Sequence, residues 1–318
     1  MHIADTPIWC DAARAREVCF VSSAHAIEGA HRGQLLGTAT TLAMLPASGR
    51  EQRGPETRLP VPYDRPFTLG TRRLELIRSG YAAGSAGLSI TVDQQRILYA
   101  GAIGRGGIGL GGEPDCRPCD VLVLNATFGE PKDELPPPAQ VAAHTISFVR
   151  DVTSRGGVAV LLLSTAAMAL EALAQLAAAE IPAAGHVAFA RAARRARAAG
   201  VVVPALRRAS GGDGTGGALL WPADARSSLD AVPLPADSRI ALVAGEAARS
   251  GAVRAIRADA GFAWSSEADF RELVAYVEGA GAEQVYTTGA GARRFADAIR
   301  RPGRPAEPLA PPEQLPLF

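Results

Sequence analysis

Between Val141 and Glu180 the chain changes its hydrophobic period twice. A helical pattern runs from Val141 to Arg150, a continuous apolar run from Val158 to Leu163, and a second helical stretch ends near Glu180 with Pro182 just past it. A short apolar strand flanked by helices is the unit of a sheet covered on its faces. Arg73 to Arg78, Leu88 to Val92, Ile97 to Ala100 and Val121 to Leu124 read as short strands bounded by Gly, Pro and Asp turns, with Val18 to Ser22 ahead of them. Later strands are expected at Ile240 to Ala244 and Gln284 to Thr287, and helices at Arg191 to Ala199, Glu267 to Glu278 and Ala292 to Arg300. Asp269 stands where it caps the second of these helices. Ser210 to Gly217 is a glycine-rich loop, and Pro222 to Asp237 a polar connection marking a domain junction. The alternation predicts an α/β fold. From Pro302 to Pro312 proline is too dense to pack, which predicts an extended tail.

At 318 residues the chain is long enough for one large or two ordinary domains. With 47% hydrophobic and 20% charged residues, it is expected to fold rather than stay disordered. The apolar stretch from Val158 stops at Glu171, short of the roughly 18 residues of a membrane span, so no membrane partner is expected. Met1 to Asp11 lacks a basic start followed by an apolar run, and the expected compartment is the cytoplasm. Thirty-three basic against 32 acidic residues leave +1, which gives no broad electrostatic footprint for nucleic acid or an anionic surface. Lys132 is the sole lysine, so positive charge is carried by arginine.

Several motifs carry less chemistry than they suggest. Cys116 and Cys119 have a Cys-x-x-Cys spacing, but two thiols are too few for a metal site and read as loop cysteines. Gly104 to Gly109 matches G-x-G-x-x-G, yet Gly111, Gly112 and Pro114 follow where a phosphate-holding helix is needed. The lone lysine lies outside any P-loop pattern, and Ser22, Ser23 and Ser164 lack a nucleophile elbow. No cofactor is expected.

Six fragments fall in a telling order: Val21-Ser-Ser-Ala-His-Ala-Ile-Glu28, Gly80-Tyr-Ala-Ala-Gly-Ser-Ala86, Tyr99-Ala-Gly-Ala-Ile103, Cys119-Asp-Val-Leu-Val-Leu-Asn-Ala-Thr-Phe-Gly129, Trp264-Ser-Ser-Glu-Ala-Asp-Phe270 and Val285-Tyr-Thr-Thr-Gly289. Together they resemble the metallo-β-lactamase-fold nucleases with a β-CASP-type insertion. The similarity is to the short bacterial group called ligase-associated DNA exonucleases or mRNA 3′-end processing factors. It covers roughly Asp5 to Leu309. It implies an αββα core in two parts, residues 1–138 and 239–301, an inserted α/β domain at 139–238 and a flexible tail at 302–318.

The resemblance also implies a two-metal centre, since such enzymes activate a bridging hydroxide on histidine and aspartate ligands. Here the ligands have been replaced. The first-loop positions fall on Ser23, His25, Ile27 and Glu28, and only His25 is a family ligand. Tyr81, Ala102, Ser266, Glu267 and Thr288 occupy further ligand positions, and Asn125 replaces the glutamate of a neighbouring segment. No metal or catalytic residue is therefore assigned. One rival regroups His25, Glu28, His31 and Glu267 into a new metal site, giving a divergent nuclease; the plainer reading leaves both histidines structural.

Gln314, Leu315, Pro316, Leu317 and Phe318 resemble the peptide by which bacterial polymerases and repair proteins dock on the DNA sliding clamp. Leu315, Leu317 and Phe318 are suited to an apolar cleft and Gln314 to its rim. The expected partners are that clamp and a DNA polymerase or repair protein. Arg191, Arg194, Arg195 and Arg197 read either as a phosphate-tracking groove for weak DNA contact or as a solvated helix face. The expectation is a catalytically inactive, clamp-tethered scaffold in replication, repair or damage tolerance. The alternative outside DNA biology is an interaction protein whose clamp-like peptide is coincidental.

Overall fold

A computed structural model describes residues 1–26, 33–46, 56–209 and 217–309. Strands β1 (Ile8–Cys10), β2 (Val18–Phe20), β3 (Gly33–Gly37) and β4 (Glu56–Pro60) pair in that order as a four-stranded parallel sheet. Between the last two lies helix α1 (Ala39–Met44), started by the Thr38 hydroxyl, which accepts the Thr41 N–H. Strands β5 (Phe67–Leu69), β6 (Arg72–Arg78), β7 (Ala86–Val92) and β8 (Gln95–Gly101) then run antiparallel, and β9 (Val121–Asn125) joins β8 in parallel.

Helix α2 (Pro138–Ser154) carries proline at its first position, where the missing N–H costs nothing. Strand β10 (Ala159–Leu163) follows, and every one of its residues is buried, as a strand covered on both faces requires. Next come α3 (Ala166–Ala178), β11 (Ala183–Gly185), α4 (Val187–Ala198), β12 (Arg207–Arg208), β13 (Ala218–Pro222), β14 (Arg239–Val243), α5 (Ala252–Ala255) and β15 (Ala260–Phe262). These strands form a parallel sheet in the order β12-β11-β13-β10-β14-β15. Alternate residues divide its faces. Ala159, Leu161 and Leu163 pack with α2, α3 and α4, while Val158, Val160 and Leu162 pack with Leu229, Ala252 and Ile256. Each such leucine, wholly removed from water, contributes roughly 1.5 to 3 kcal/mol.

The chain then returns to the antiparallel meander. Helix α6 (Phe270–Ala280) leads to β16 (Gln284–Thr288), α7 (Ala292–Ile299) and β17 (Ala306–Pro308), giving the seven-stranded order β17-β16-β9-β8-β7-β6-β5. One face of this sheet packs Leu98, Leu122 and Val285 against Leu273 and Val277 of α6 and Phe295 of α7. The other face packs Leu74, Leu76, Leu88 and Val123 against Ile8, Phe20 and Leu36 of the first sheet. Leu42 and Leu45 of α1 and the residue after it cover that sheet's far side through Leu35 and Val21. The layers are helix, sheet, sheet, helix, with the six-stranded parallel unit alongside, an α/β protein as the alternation predicts.

Two expected boundaries move. Ile240 to Ala244 was assigned to the second part of the core, but β14 bonds β10 along its length, so sheet membership carries the parallel unit to Phe262 rather than 238. The stretch from Pro302 was expected to be a free tail. Instead β17 pairs β16, and the Arg304 guanidinium is buried against Glu278 and the Ile299 carbonyl. Proline is tolerated there because β17 is an edge strand. Residues 310–318, including the expected docking peptide from Gln314 to Phe318, lie outside the described residues.

Candidate functional site

Where the loops following β2, β6, β8, β9 and β16 meet, they surround a cavity of about 350 Å³. Ser22, Ser23 and His25 come from the first of these loops, Tyr81 from the second and Ala102 from the third. Asn125 and Thr288 arrive at the ends of β9 and β16, and Glu267 from the turn before α6. The positions at which the sequence resemblance implies ligands, Ser23, His25, Tyr81, Ala102, Glu267 and Thr288, thus converge on one wall, together with Asn125. Ile27, Glu28 and His31 lie outside the described residues. A second cavity of about 170 Å³ adjoins the first, sharing Tyr81, Thr165 and Glu267 and reaching Ser266 and Glu246.

Isolated bridges from Gly80 to Ile103 and from Gly104 to Glu267 knit these loops together. Gly101 takes φ +63°, and a Cβ there would press on Ser22 at 3.1 Å. Asp269 caps α6 as expected: its carboxylate accepts the Glu272 N–H at 3.0 Å, while Glu272 accepts the Asp269 N–H at 2.9 Å. Arg105, buried to 4% exposure, bonds Asp269, Glu272 and the carbonyls of Leu135 and Pro136.

Asp11, which sequence reasoning passed over, organises the cavity floor. Its carboxylate accepts the Ser22 N–H at 2.8 Å, the Ser22 hydroxyl at 2.6 Å and the Tyr99 hydroxyl at 2.8 Å. Burial raises its pKa, and the two Ser22 bonds and the Tyr99 bond pull it back. Three donors on two oxygens commit this carboxylate to ordering the loop. Its sequence signal was slight: an aspartate just past a short apolar segment.

His25 Nε2 is buried without a hydrogen-bond partner. Burial, with a further contribution from the Arg195 charge, lowers the imidazole to a pKa of about 4, so it is neutral at pH 7. Glu267 is raised by burial and by Glu246, against a Thr127 hydrogen bond, and burial drives the Tyr81 phenol far upward. The wall is therefore built of hydroxyls, an amide, an uncharged imidazole and the single carboxyl of Glu267.

A divalent ion of the kind the resemblance implies needs three or four lone-pair donors at about 2.0 to 2.3 Å. Alanine offers none, and the Tyr81 hydroxyl is held in its protonated form. Threonine and serine are poor ligands unless a carboxylate or imidazole shares the ion. Among the described residues no group of three His, Cys, Asp or Glu side chains is placed to hold a metal. The residues do not fit a two-metal centre. Cys116 is exposed and Cys119 buried, both as free thiols.

The arginines of α4 divide between two places. Arg191, Arg194 and Arg197 line an open groove of about 380 Å³ with Arg208 of β12. Arg195 is half-buried on the flank from which its charge reaches His25.

No family model matches the sequence. A relative is "Probable DNA ligase" of Opitutus terrae, 27% identical over 311 residues, a span of 97% of this chain and 30% of that protein. The chain therefore covers under a third of the length of the curated relative it matches. A crystal structure of a protein of unknown function from Enterococcus faecalis V583 is similar in fold, with a TM-score of 0.59 over 92% of this chain and 79% of the other, at 12% identity. Among the described residues no helix is long and apolar enough to cross a membrane.

Proposed function

We propose that this chain is a catalytically silent module of DNA metabolism, related to the metallo-β-lactamase-fold exonucleases and retaining their frame without their metal chemistry. The observation that carries the reading is the convergence of Ser23, His25, Tyr81, Ala102, Glu267 and Thr288 on one cavity. Six positions scattered over more than two hundred residues meet where a resemblance in sequence alone says ligands belong, yet they supply one imidazole and one carboxylate. The similarity to a segment of a protein named as a probable DNA ligase supports a role beside DNA joining.

The Gln314-Leu-Pro-Leu-Phe318 peptide gives this module its means of recruitment. Apolar anchors at Leu315, Leu317 and Phe318 fill a clamp cleft, and a tethered body works at an effective concentration of order millimolar. In that role the folded body brings a polymerase or repair protein to DNA from the cytoplasm, and cavity chemistry is not required.

Titrating the full chain against a bacterial sliding clamp, beside a Leu317→Ala/Phe318→Ala variant, tests the recruitment. Micromolar binding that the variant loses supports it, and no binding by the intact chain overturns it. Incubation with labelled DNA and Mn²⁺ tests the silence: release of nucleotides, abolished by His25→Ala, would establish a divergent nuclease instead.

A further inference from the structure

Many arginines of this molecule sit in ion pairs. Arg72, Arg78, Arg96, Arg105, Arg117, Arg155 and others each meet a carboxylate. Arg191, Arg194, Arg197 and Arg208 are exposed and form no ion pair among the described residues, although a single groove gathers all four. Like charges at i, i+3 spacing repel. Arg194 and Arg191 indeed lower the proton affinity of their half-buried neighbour Arg195, after burial itself. A groove of this kind is stabilised by an anion.

Its floor decides which one. Val187, Ala190, Ala205 and Leu206 lie between the arginines, and among the described residues no aromatic side chain lines the groove. A nucleic-acid strand offers such a floor little, because its apolar surface is in the base faces, which stack on aromatic rings. The arginine row is also short, about 9 Å from Arg191 to Arg197 at the helical rise. Beyond it the chain as a whole carries only +1. An acidic peptide with interspersed leucine-like side chains matches both parts: carboxylates meet guanidinium forks, and apolar groups meet the floor. Strand β12, which carries Arg208, is the outermost strand of the parallel sheet and so stands at an edge to which an extended peptide can align.

We infer that the groove between α4 and β12 is a docking site for an acidic, leucine-bearing segment of a partner protein. This extends the recruiting role proposed above. The assay contains no clamp, so either reading can fail without the other.

The test is fluorescence anisotropy of the intact protein with a labelled Asp-Glu-Leu-Asp-Glu-Leu-Asp-Glu peptide. Its Asp-Glu-Ser-Asp-Glu-Ser-Asp-Glu counterpart and a labelled single-stranded oligonucleotide run in parallel. Saturable binding of the leucine peptide is expected, weakened by added salt. The serine peptide is expected to bind severalfold more weakly. Arg194→Glu/Arg197→Glu, with both positions exposed and folding checked by circular dichroism, is expected to weaken the leucine peptide about ten-fold or more, and Arg155→Glu to leave it unchanged. Three results overturn the inference: no binding at low salt, equal binding by the charge-reversed protein, or an oligonucleotide that outbinds the leucine peptide.

Discussion

The Ser266 hydroxyl donates a 2.8 Å hydrogen bond to Glu171 Oε2, joining the turn before α6 to the buried face of α3. Both residues are buried, and desolvation lifts the Glu171 carboxyl to a pKa of about 7, opposed by Ser266 and by the Leu110 backbone. Its folded pKa lies above the ordinary 4.5, so the folded state binds the proton more tightly. The stabilisation is complete below about pH 4.5 and is lost as pH rises through about 7. The linkage amounts to roughly 3 kcal/mol. Urea unfolding of the wild type and Glu171→Gln at pH 5 and pH 8 is expected to show the decline in the wild type and a flatter profile in the variant; parallel profiles would remove this account.

The Arg105 and Asp269 pair gives a second expectation. Asp269→Ala removes the cap of α6 and leaves Arg105 with Glu272 as its remaining charged partner. Loss of a cap costs about 1 kcal/mol, and a broken buried pair adds more, for a total near 3 kcal/mol. Asp269→Asn keeps an acceptor at the helix start and is expected to lose less. The denaturant midpoints of the two variants decide it, and equal loss in both would show that the cap contributes little.

His25 is expected to remain neutral well below the usual range. Its imidazole NMR shifts should stay flat from about pH 8 down to about pH 5.5 and move only near pH 4. With the folded pKa depressed, the linked stability is present above the ordinary 6.5 and declines as pH falls toward 4. An inflection near 6.5 would mean that the ring is solvated.

Metal addition separates a lost centre from a rearranged one. A ligand at about a hundred times its Kd stabilises the folded state by about 2.7 kcal/mol. Excess Zn²⁺ or Mn²⁺ is expected to leave the melting temperature unmoved. A rise of several degrees that disappears in His25→Ala would establish a site made with residues beyond those described.

Gly104→Ala probes the seam between loops. A Cβ at Gly104 would overlap the Gly80 carbonyl oxygen, a rigid backbone atom, beside the bridge from Gly104 to Glu267. Destabilisation of about 2 kcal/mol or more is expected from such overpacking. A thermal melt matching the wild type would show that the seam yields.

Much of the fold was legible because strands such as β7 and β9 are short apolar runs between turn residues, and because α3 and α6 carry helical apolar stripes. Strand β13, Ala218–Pro222, was not, since a fully apolar run of five residues has no period of its own. Strand β17 was hidden by its prolines. The cavity positions emerged only from the ordered fragments, each too short to be decisive alone. The work of Asp11 and Arg105 depends on partners such as Tyr99 and Glu272, 88 and 167 residues away, which no local pattern discloses.

The passage from β9 into α2 is fastened close to the start of α2. Asp133 is gripped by Arg249, which lies just past β14, and Arg105 holds the carbonyls of Leu135 and Pro136. A hinge needs loose residues where two bodies join, and here an ion pair and two hydrogen bonds span the joint. Widening the cavity at this joint would break the Asp133–Arg249 pair and both Arg105 hydrogen bonds.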